Sequence, residues 1–148
     1  MTFEYEKTAP VRWPQRRHSL VCYLYELANP VLQQERWIEG KDDRPGIMYG
    51  FGLVINFFFD DTELAENPEG TIGDILLDEL EVSAIRNVGK ALDQVLKEVG
   101  LDKSDLDYLS SSSWRDTVLS AQKAYRLLRP RVVAEGDNML PPELEPSK

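Results

Sequence analysis

The 148 residues include 17 basic side chains, 26 acidic side chains and one histidine, which gives a formal net charge of −9. Hydrophobic residues make up 42% of the chain and charged residues 29%, a balance typical of one globular domain and too apolar for general disorder. The single cysteine, Cys22, excludes an internal disulfide and a Cys-rich metal site, so a reducing cytoplasm is the expected compartment.

Neither a leader nor a membrane span is expected from the apolar pattern. The N-terminus MTFEYEKTAPVRWP contains no apolar run of the kind that a signal peptide requires. The most apolar stretch, Ile47 to Phe59, is too short for a transmembrane helix, which needs about 20 apolar residues. We interpret this stretch as a buried element of a soluble core.

The first part of the chain predicts two consecutive helices. Pro14 suits the first turn of a helix, and Asn29-Pro30 ends that helix and begins a second one, which Gly40 closes. The first helix has an apolar face at spacings of three and four, formed by Leu20, Val21, Leu24, Leu27 and Ala28.

The middle of the chain is less regular. The apolar positions from Ile47 to Phe59 fit a helical spacing best, although the β-rich letters LVINFFF leave a strand as the alternative. A turn-rich connection follows, with Asn67-Pro68 in it. Thr71 followed three residues later by Asp74 resembles a helix cap, which predicts a short helix at 72–76.

The clearest predicted element is a helix from about Asp78 to Val99. Its apolar stripe consists of Val82, Ile85, Val88, Leu92, Val95, Leu96 and Val99. Gly100 stands where a left-handed cap is favoured. Gly89, inside the helix, predicts that a neighbouring helix crosses closely at this position.

A last helix is predicted after the serine run 110–113. Ser113 with Asp116 suggests its cap, and Pro130 stops it. Its apolar face is formed by Trp114, Val118, Ala121, Tyr125 and Leu128. Together the elements predict an all-α, compact single-domain helical bundle of about five to seven helices.

Three regions are predicted along the chain. Residues 1–12 form an N-terminal arm, and residues 13–129 form the helical domain. Residues 130–148 contain several prolines and few apolar residues, which is typical of a flexible tail.

The sequence contains few residues that could form a nucleophilic catalytic site, since it has one histidine and one cysteine. His18 and Cys22 lie four positions apart, on one face of the first predicted helix, and a Cys–His pair can form a thiolate nucleophile. Nothing in the sequence supplies a third, orienting group. We therefore favour a structural thiol packed among core residues, and we assign no catalytic residue.

An oxygen-rich cluster raises the question of a metal. Asp60, Asp61, Glu63 and Glu66 offer ligands that Mg²⁺ and Ca²⁺ prefer, but the spacing and central glycine of an EF-hand are missing. A solvated acidic loop is the favoured interpretation, with no metal and no cofactor. A metal-dependent enzyme using this cluster is the least favoured alternative.

A short basic patch lies near the N-terminus. Arg12, Arg16, Arg17 and His18 surround Trp13, a composition that can bind nucleic acid. The isoelectric point of about 4.6 opposes approach to a polyanion. We favour a role within the chain, in which these arginines pair with the acidic segment or solvate the first helix.

One acidic segment accounts for the whole net charge. Nine acidic residues and no Lys or Arg lie between Asp60 and Glu81, whereas the other 126 residues balance. Such a segment repels nucleic acid and anionic membrane, and it steers a basic protein surface towards it. The predicted partner-binding residues are Asp60, Asp61, Glu63, Glu66, Glu69, Asp74, Asp78, Glu79 and Glu81.

Three segments carry a resemblance to known proteins: WPQRRHSLVCYLYELANPVLQQERW, FFFDDTELAENPEGTIGDIL and SSWRDTVLSAQKAY. They are similar to a group of small acidic helical bacterial proteins of uncharacterised function, over most of residues 13–125. The resemblance implies a fold more than a function. In size and charge the chain is also analogous to immunity proteins, which are encoded beside secreted toxins.

The expected function is therefore non-catalytic protein binding. Its most concrete form is a cytoplasmic immunity protein that neutralises a toxin, with a basic toxin domain as partner. The alternative is a regulatory or scaffold domain that binds a cellular protein through the same residues or through the basic residues from Arg12 to Arg17.

Overall fold

The computed structural model describes residues 11–41, 49–132 and 140–144, which form six helices and no β-strand. One isolated bridge joins Ile72 and Leu76. The predicted all-α fold and its number of helices are confirmed. No helix in these ranges is long and apolar enough to cross a membrane.

Two of the six helices change type along their length. Helix α1 spans Pro14–Leu27, and α2 begins at Pro30–Leu32 and continues as a π-helix over Gln33–Ile38. Helix α3 has the same form, with an α-helix at Phe51–Ile55 and a π-helix at Asn56–Asp61. The remaining elements are α4 at Glu79–Val99, α5 at Asp105–Leu109, α6 at Trp114–Leu128, and 3₁₀ turns at Pro68–Thr71 and Arg129–Arg131.

The predicted ends of α4 are confirmed by its caps. The Asp78 side chain accepts a hydrogen bond from the Glu81 amide, which satisfies one of the donors left over at a helix N-terminus. Gly100 follows the last residue with φ +96°, a conformation that glycine adopts at little steric cost.

Neither of two predicted caps forms its side-chain hydrogen bond, although Ser113 does stand at the N-cap position of α6. Thr71 begins no helix, because its carbonyl accepts from the amides of Asp74, Ile75 and Leu76, and its hydroxyl donates to Pro68. The segment 72–76 is therefore a turn instead of the predicted short helix. The Ser113 hydroxyl does not cap α6, since it donates to a carboxylate of α4 instead.

The core lies where α6 packs against α4 on one side and against α1 on the other. The apolar stripes predicted for these helices supply most of it: Leu20, Val21, Leu24, Leu27, Val82, Ile85, Val88, Leu92, Val95, Val118, Ala121, Tyr125 and Leu128 are buried. Full burial of one such large apolar side chain contributes about 1.5–3 kcal/mol. Helix α3 adds Phe51, Val54 and Phe58, which favours the helix over the alternative strand from residue 51 onward.

Gly89 permits the close approach that its place in α4 predicted. A Cβ built there would lie 3.3 Å from the Cα of Ala65 and 3.4 Å from its carbonyl oxygen. The neighbour is a turn after α3 and not a crossing helix. Gly89 therefore holds that turn against α4.

Parts of the predicted arm and tail pack on the helices. Val11 is buried, and the Arg12 amide donates to the Gly73 carbonyl at 2.8 Å. Leu140 and Leu144 pack on the core from the predicted tail. The rest of the arm, and residues 133–139 and 145–148 of the tail, lie outside the described residues.

Candidate functional site

Glu81, in the first turn of α4, lies at the centre of a buried ion-pair network. The Arg17 guanidinium donates to both carboxylate oxygens, at 2.7 and 2.9 Å. Arg131 donates to Glu81 at 3.1 Å and to Asp78 at 3.0 Å. The side chains of Arg17 and Glu81 are 3% and 0% exposed. These four residues are called the buried network after the Arg17–Glu81 pair at its centre, and they tie α1, α4 and the 3₁₀ turn after α6 together. The outer members, Arg131 and Asp78, are 30% and 45% exposed.

The network keeps Glu81 charged. Burial acts to raise the pKa of Glu81, but hydrogen bonds from Arg17, the Leu77 amide and Arg131 outweigh burial and hold that pKa below its ordinary value. The Leu77 amide donates at 2.8 Å. Because a buried charge is tolerated only when it is paired and hydrogen-bonded, the network has a structural role.

A sharp turn ends α3 and directs the following residues outward. The Thr62 hydroxyl donates to the Phe57 carbonyl at 2.7 Å and accepts from the Leu64 amide at 3.3 Å. Thr62 and Leu64 are therefore buried, while the acidic residues on either side remain exposed.

Backbone pairing brings the segment before α1 to the same place. The Arg12 and Trp13 amides donate to the carbonyls of Gly73 and Asp74, both at 2.8 Å. Trp13 thereby lies beside Asp74, although 61 positions separate the two in the chain.

The turn and the paired segment enclose a cleft of about 240 Å³, the acidic cleft. Five of the nine predicted carboxylates line it: Asp60, Asp61, Glu63, Glu66 and Asp74. Trp13, which is 46% exposed, and Arg16 line it as well. Arg16 donates to the main-chain carbonyl of Asp61 at 3.0 Å. None of the ion pairs within the described ranges involves the five carboxylates.

The other four predicted residues lie elsewhere. Glu69 forms an ion pair with Arg86, and Glu79 is exposed on the first turn of α4. Asp78 caps α4 and pairs with Arg131. Glu81 is fully buried and cannot contact a partner, so its assignment as a partner-binding residue is wrong.

Two arginines of the basic patch, Arg16 and Arg17, bind the acidic segment of the same chain. Arg17 belongs to the buried network, and Arg16 donates to the acidic segment. The guanidinium carbons of Arg12 and Arg16 lie 5.2 and 5.9 Å from the ring centroid of Trp13, within cation–π range.

His18 and Cys22 share one face of α1, as their spacing predicted. Cys22 Sγ lies 3.9 Å from His18 Nδ1. Cys22 is half-buried at the wall of a cavity of about 520 Å³ instead of lying within the core. Tyr23, Tyr25 and Tyr49 line the same cavity, here called the tyrosine cavity.

Outside the acidic cleft, the carboxylate of Glu98 in α4 binds a run of three serines. The hydroxyls of Ser111, Ser112 and Ser113 all donate to the Glu98 carboxylate. The bonds from Ser111 and Ser113, the largest causes, lower the pKa of Glu98 to about 2.

Throughout the described residues, no group of three or more His, Cys, Asp or Glu side chains is placed to hold a metal ion.

Sequence reasoning missed two contributors to these sites. Arg131 was assigned to the tail, and Trp13 was considered only with the basic patch. A sequence signal for Trp13 did exist, because a tryptophan among four basic residues is typical of a binding surface. No local pattern marks Arg131, because its carboxylate partner lies 50 positions away.

In the described part of the chain, six helices surround one core and a carboxylate-lined cleft lies at the surface, which defines a small acidic helical domain. The chain belongs to the family DUF7945, a domain of unknown function, whose match covers residues 11–137. No curated protein and no solved structure matches the chain. The family agrees with the resemblance to uncharacterised proteins. The function of this family is unknown, so the toxin-immunity expectation stays a proposal.

Proposed function

We propose that this chain is a non-catalytic protein-binding domain whose acidic cleft receives a basic segment of a partner protein. The observation that supports the proposal is the gathering of Asp60, Asp61, Glu63, Glu66 and Asp74 around one cleft. Concentrated carboxylates raise the rate of encounter with a basic surface and oppose acidic competitors.

The contrast with the buried network strengthens this proposal. Asp78 and Glu81 are satisfied by arginines of the same chain, so their charge has a structural use. The cleft carboxylates take part in no ion pair of the described ranges, and they line a concave surface instead of a convex one. A basic side chain of a partner would supply the opposite charge there.

Trp13 gives the cleft a second means of recognition. Its half-exposed ring lies in the same lining as the carboxylates. Arg12 and Arg16 show that this ring accepts guanidinium groups. An arginine of a partner can take the place of one of them on the indole while its guanidinium donates to carboxylates, which a lysine does less well. We therefore expect the partner segment to contain arginine.

The most concrete form of the proposal is an immunity protein that neutralises a toxin by directly binding a basic segment of it. Its support is the chain's small size, acidity and helical fold, which is an analogy. A regulatory or scaffold domain would use the same cleft on a cellular protein. A toxin reading frame directly beside this gene would favour the first form.

Three baits test the proposal by affinity capture from an extract of the source organism. The first is the wild-type chain, and the second carries Asp60→Lys, Asp61→Lys and Glu66→Lys in the cleft. The matched control carries three charge reversals of surface residues outside the cleft, Glu35→Lys, Asp93→Lys and Asp116→Lys, so both triple variants have the same net charge.

We expect a protein that the wild-type and control baits retain and the cleft variant loses. Retention of the same proteins by all three baits would reject the acidic cleft as the binding site. Loss of a protein from both triple variants would show that only net charge matters, which also contradicts the proposal.

A further inference from the structure

A short segment of the C-terminal region, the strap at residues 140–144, lies across α6. The Tyr125 hydroxyl lies 3.0 Å from the Pro141 carbonyl oxygen and 2.7 Å from that of Pro142. Arg129 Nε donates to the Pro141 carbonyl at 2.8 Å. Tyr125 and Arg129 are one helical turn apart, so both side chains reach the strap from the same face of α6.

The chemistry of this contact is that of peptide recognition. A proline has no backbone N–H, so a protein recognises consecutive prolines by their carbonyl oxygens and by packing aromatic rings against them. Side-chain donors bind the two proline carbonyls at the strap. Aromatic side chains are also close by, since Tyr25 lines the same cavity as Pro141 and Pro142 and its ring lies 5.4 Å from the Tyr125 ring. Burial raises the pKa of Tyr125 to about 12, so its hydroxyl keeps the proton that it donates.

The strap occupies only one end of a longer concave surface. Leu140, Pro141 and Pro142 form one wall of the tyrosine cavity, and about 520 Å³ remains beside them. That space continues along α1 past Tyr23 and on to Tyr49. The tyrosine cavity shares no lining residue with the acidic cleft, so it is a separate surface.

The contacts of the strap suit reversible attachment. Leu140 and Leu144 are only partly buried, and Pro142 and Glu143 are exposed. Within the described residues, its hydrogen bonds come from side chains and none from a backbone ladder. An extended proline segment also loses little conformational freedom on docking, which favours binding of a similar segment from another chain.

We propose that the strap is an autoinhibitory segment that occupies a peptide groove in cis. Release of the strap opens the groove, along Tyr125 and the tyrosine cavity, to an extended segment of a partner that contains consecutive prolines flanked by leucine. The partner segment would replace the strap on Tyr125 and Arg129 and extend along α1.

A peptide-binding experiment on the full chain tests this. The probe is a fluorescent synthetic peptide with the strap sequence Leu-Pro-Pro-Glu-Leu, measured by anisotropy. The strap is detached by Leu140→Asp with Leu144→Asp. The matched control is Leu101→Asp with Leu106→Asp. Both leucines are exposed; Leu101 lies between α4 and α5, and Leu106 lies in α5.

We expect the peptide to bind the detached variant at least about tenfold more tightly than the wild type or the control, since the competitor in cis is gone. A peptide with alanines in place of both prolines should show no such gain. Equal binding of the strap peptide to all three proteins, with helical content retained, would overturn the proposal.

A second variant keeps the test decisive if the detached protein does not fold. Tyr125→Phe keeps the buried ring and removes the hydroxyl that binds the strap. Cys22, the only cysteine, shares the cavity wall with the strap, so its alkylation rate reports strap opening. We expect this rate to rise about two- to tenfold, the range for loss of one net hydrogen bond.

The control for that variant is Tyr108→Phe. It removes a comparable hydroxyl, which donates to the Gly100 carbonyl at 2.8 Å and has no contact with the strap. An unchanged alkylation rate in Tyr125→Phe, or an equal rise in both variants, would show that the strap is a fixed part of the fold and not a releasable segment.

Discussion

The acidic segment from Asp60 to Glu81 divides into two regions that differ in how their charge is balanced. At its C-terminal end, Asp78 and Glu81 are held by Arg17 and Arg131, and Glu81 is fully buried. At its N-terminal end, the carboxylates line an open cleft and take part in none of the described ion pairs. The two regions have the same residue types and opposite surroundings.

The comparison teaches that a run of charge in a sequence does not form one surface. Which carboxylates become structural depends on where distant arginines fall in the fold. Arg17 reaches Glu81 across 64 positions of sequence, because α1 packs beside the start of α4. The cleft carboxylates, in contrast, lie at the end of α3 and in two turns, where they line an open cleft. Stability and binding should therefore respond to different charges.

The largest effect is expected from Arg17→Ala. Removing one partner of a buried ion pair leaves a buried charge without its main compensation, which costs about 3–5 kcal/mol of unfolding free energy. Urea unfolding at neutral pH measures it. Arg16→Ala, on the adjacent exposed residue, should cost less than about 1 kcal/mol. Equal losses in the two variants would remove the distinction between network and cleft.

The next largest loss of stability is expected from a change at Gly89, which packs against the turn after α3 that helps to form the acidic cleft. Gly89→Val should lower the unfolding free energy by about 1–3 kcal/mol, because Ala65 lies too close for a larger side chain. Gly52→Val is the control, since a Cβ there meets no atom within 4 Å. We expect no loss of stability from the control. A stable Gly89→Val protein would mean that the turn shifts easily.

A smaller effect is expected on the way that folding stability changes with pH in the acid range. The pKa of Glu98 is about 2 in the folded protein, against an ordinary value of 4.5. As pH falls from 4.5 to 2, the unfolded chain binds this proton first, so the stability that Glu98 contributes above pH 4.5 is lost through this window. Glu98→Gln should flatten the pH dependence of the unfolding midpoint between these values. Glu35→Gln, an exposed glutamate, should leave that dependence unchanged.

The smallest effect on stability is expected in the cleft itself. Asp60→Lys with Asp61→Lys and Glu66→Lys should change the unfolding free energy by less than about 0.5 kcal/mol per site, since surface charges contribute little. Circular dichroism should show the same helical content as in the wild type. A loss as large as that of Arg17→Ala would mean that the cleft carboxylates are structural as well.

Much of the fold could be predicted because its causes are local. The stripe from Val82 to Val95 and the prolines at 14 and 30 act through spacing and backbone geometry, which the sequence shows directly. The helix predicted at 72–76 failed because Thr71 has competing backbone and side-chain partners. The cap at Ser113 failed because α4 brings Glu98 to its hydroxyl.

The candidate site could be predicted only in part. The composition of residues 60–81 indicated the carboxylates of the cleft, and five of them do lie together. The sequence did not separate them from Glu81, because burial of that residue depends on Arg17 and Arg131, which come from opposite ends of the chain. The strap was also missed, because the sequence predicts Tyr125 only as part of an apolar helix face and gives no sign that Tyr125 and Arg129 bind the carbonyls of a segment more than ten residues later.

The central claim is that the acidic cleft, and not the overall charge, receives the partner. Its most direct test is the association rate of the captured protein with the wild type, the cleft variant and the control variant, by stopped-flow mixing at low and physiological salt. We expect the cleft variant alone to associate at least about tenfold more slowly, and the wild-type rate to fall as salt rises. An unchanged rate for the cleft variant, or equal slowing in both triple variants, would contradict the claim.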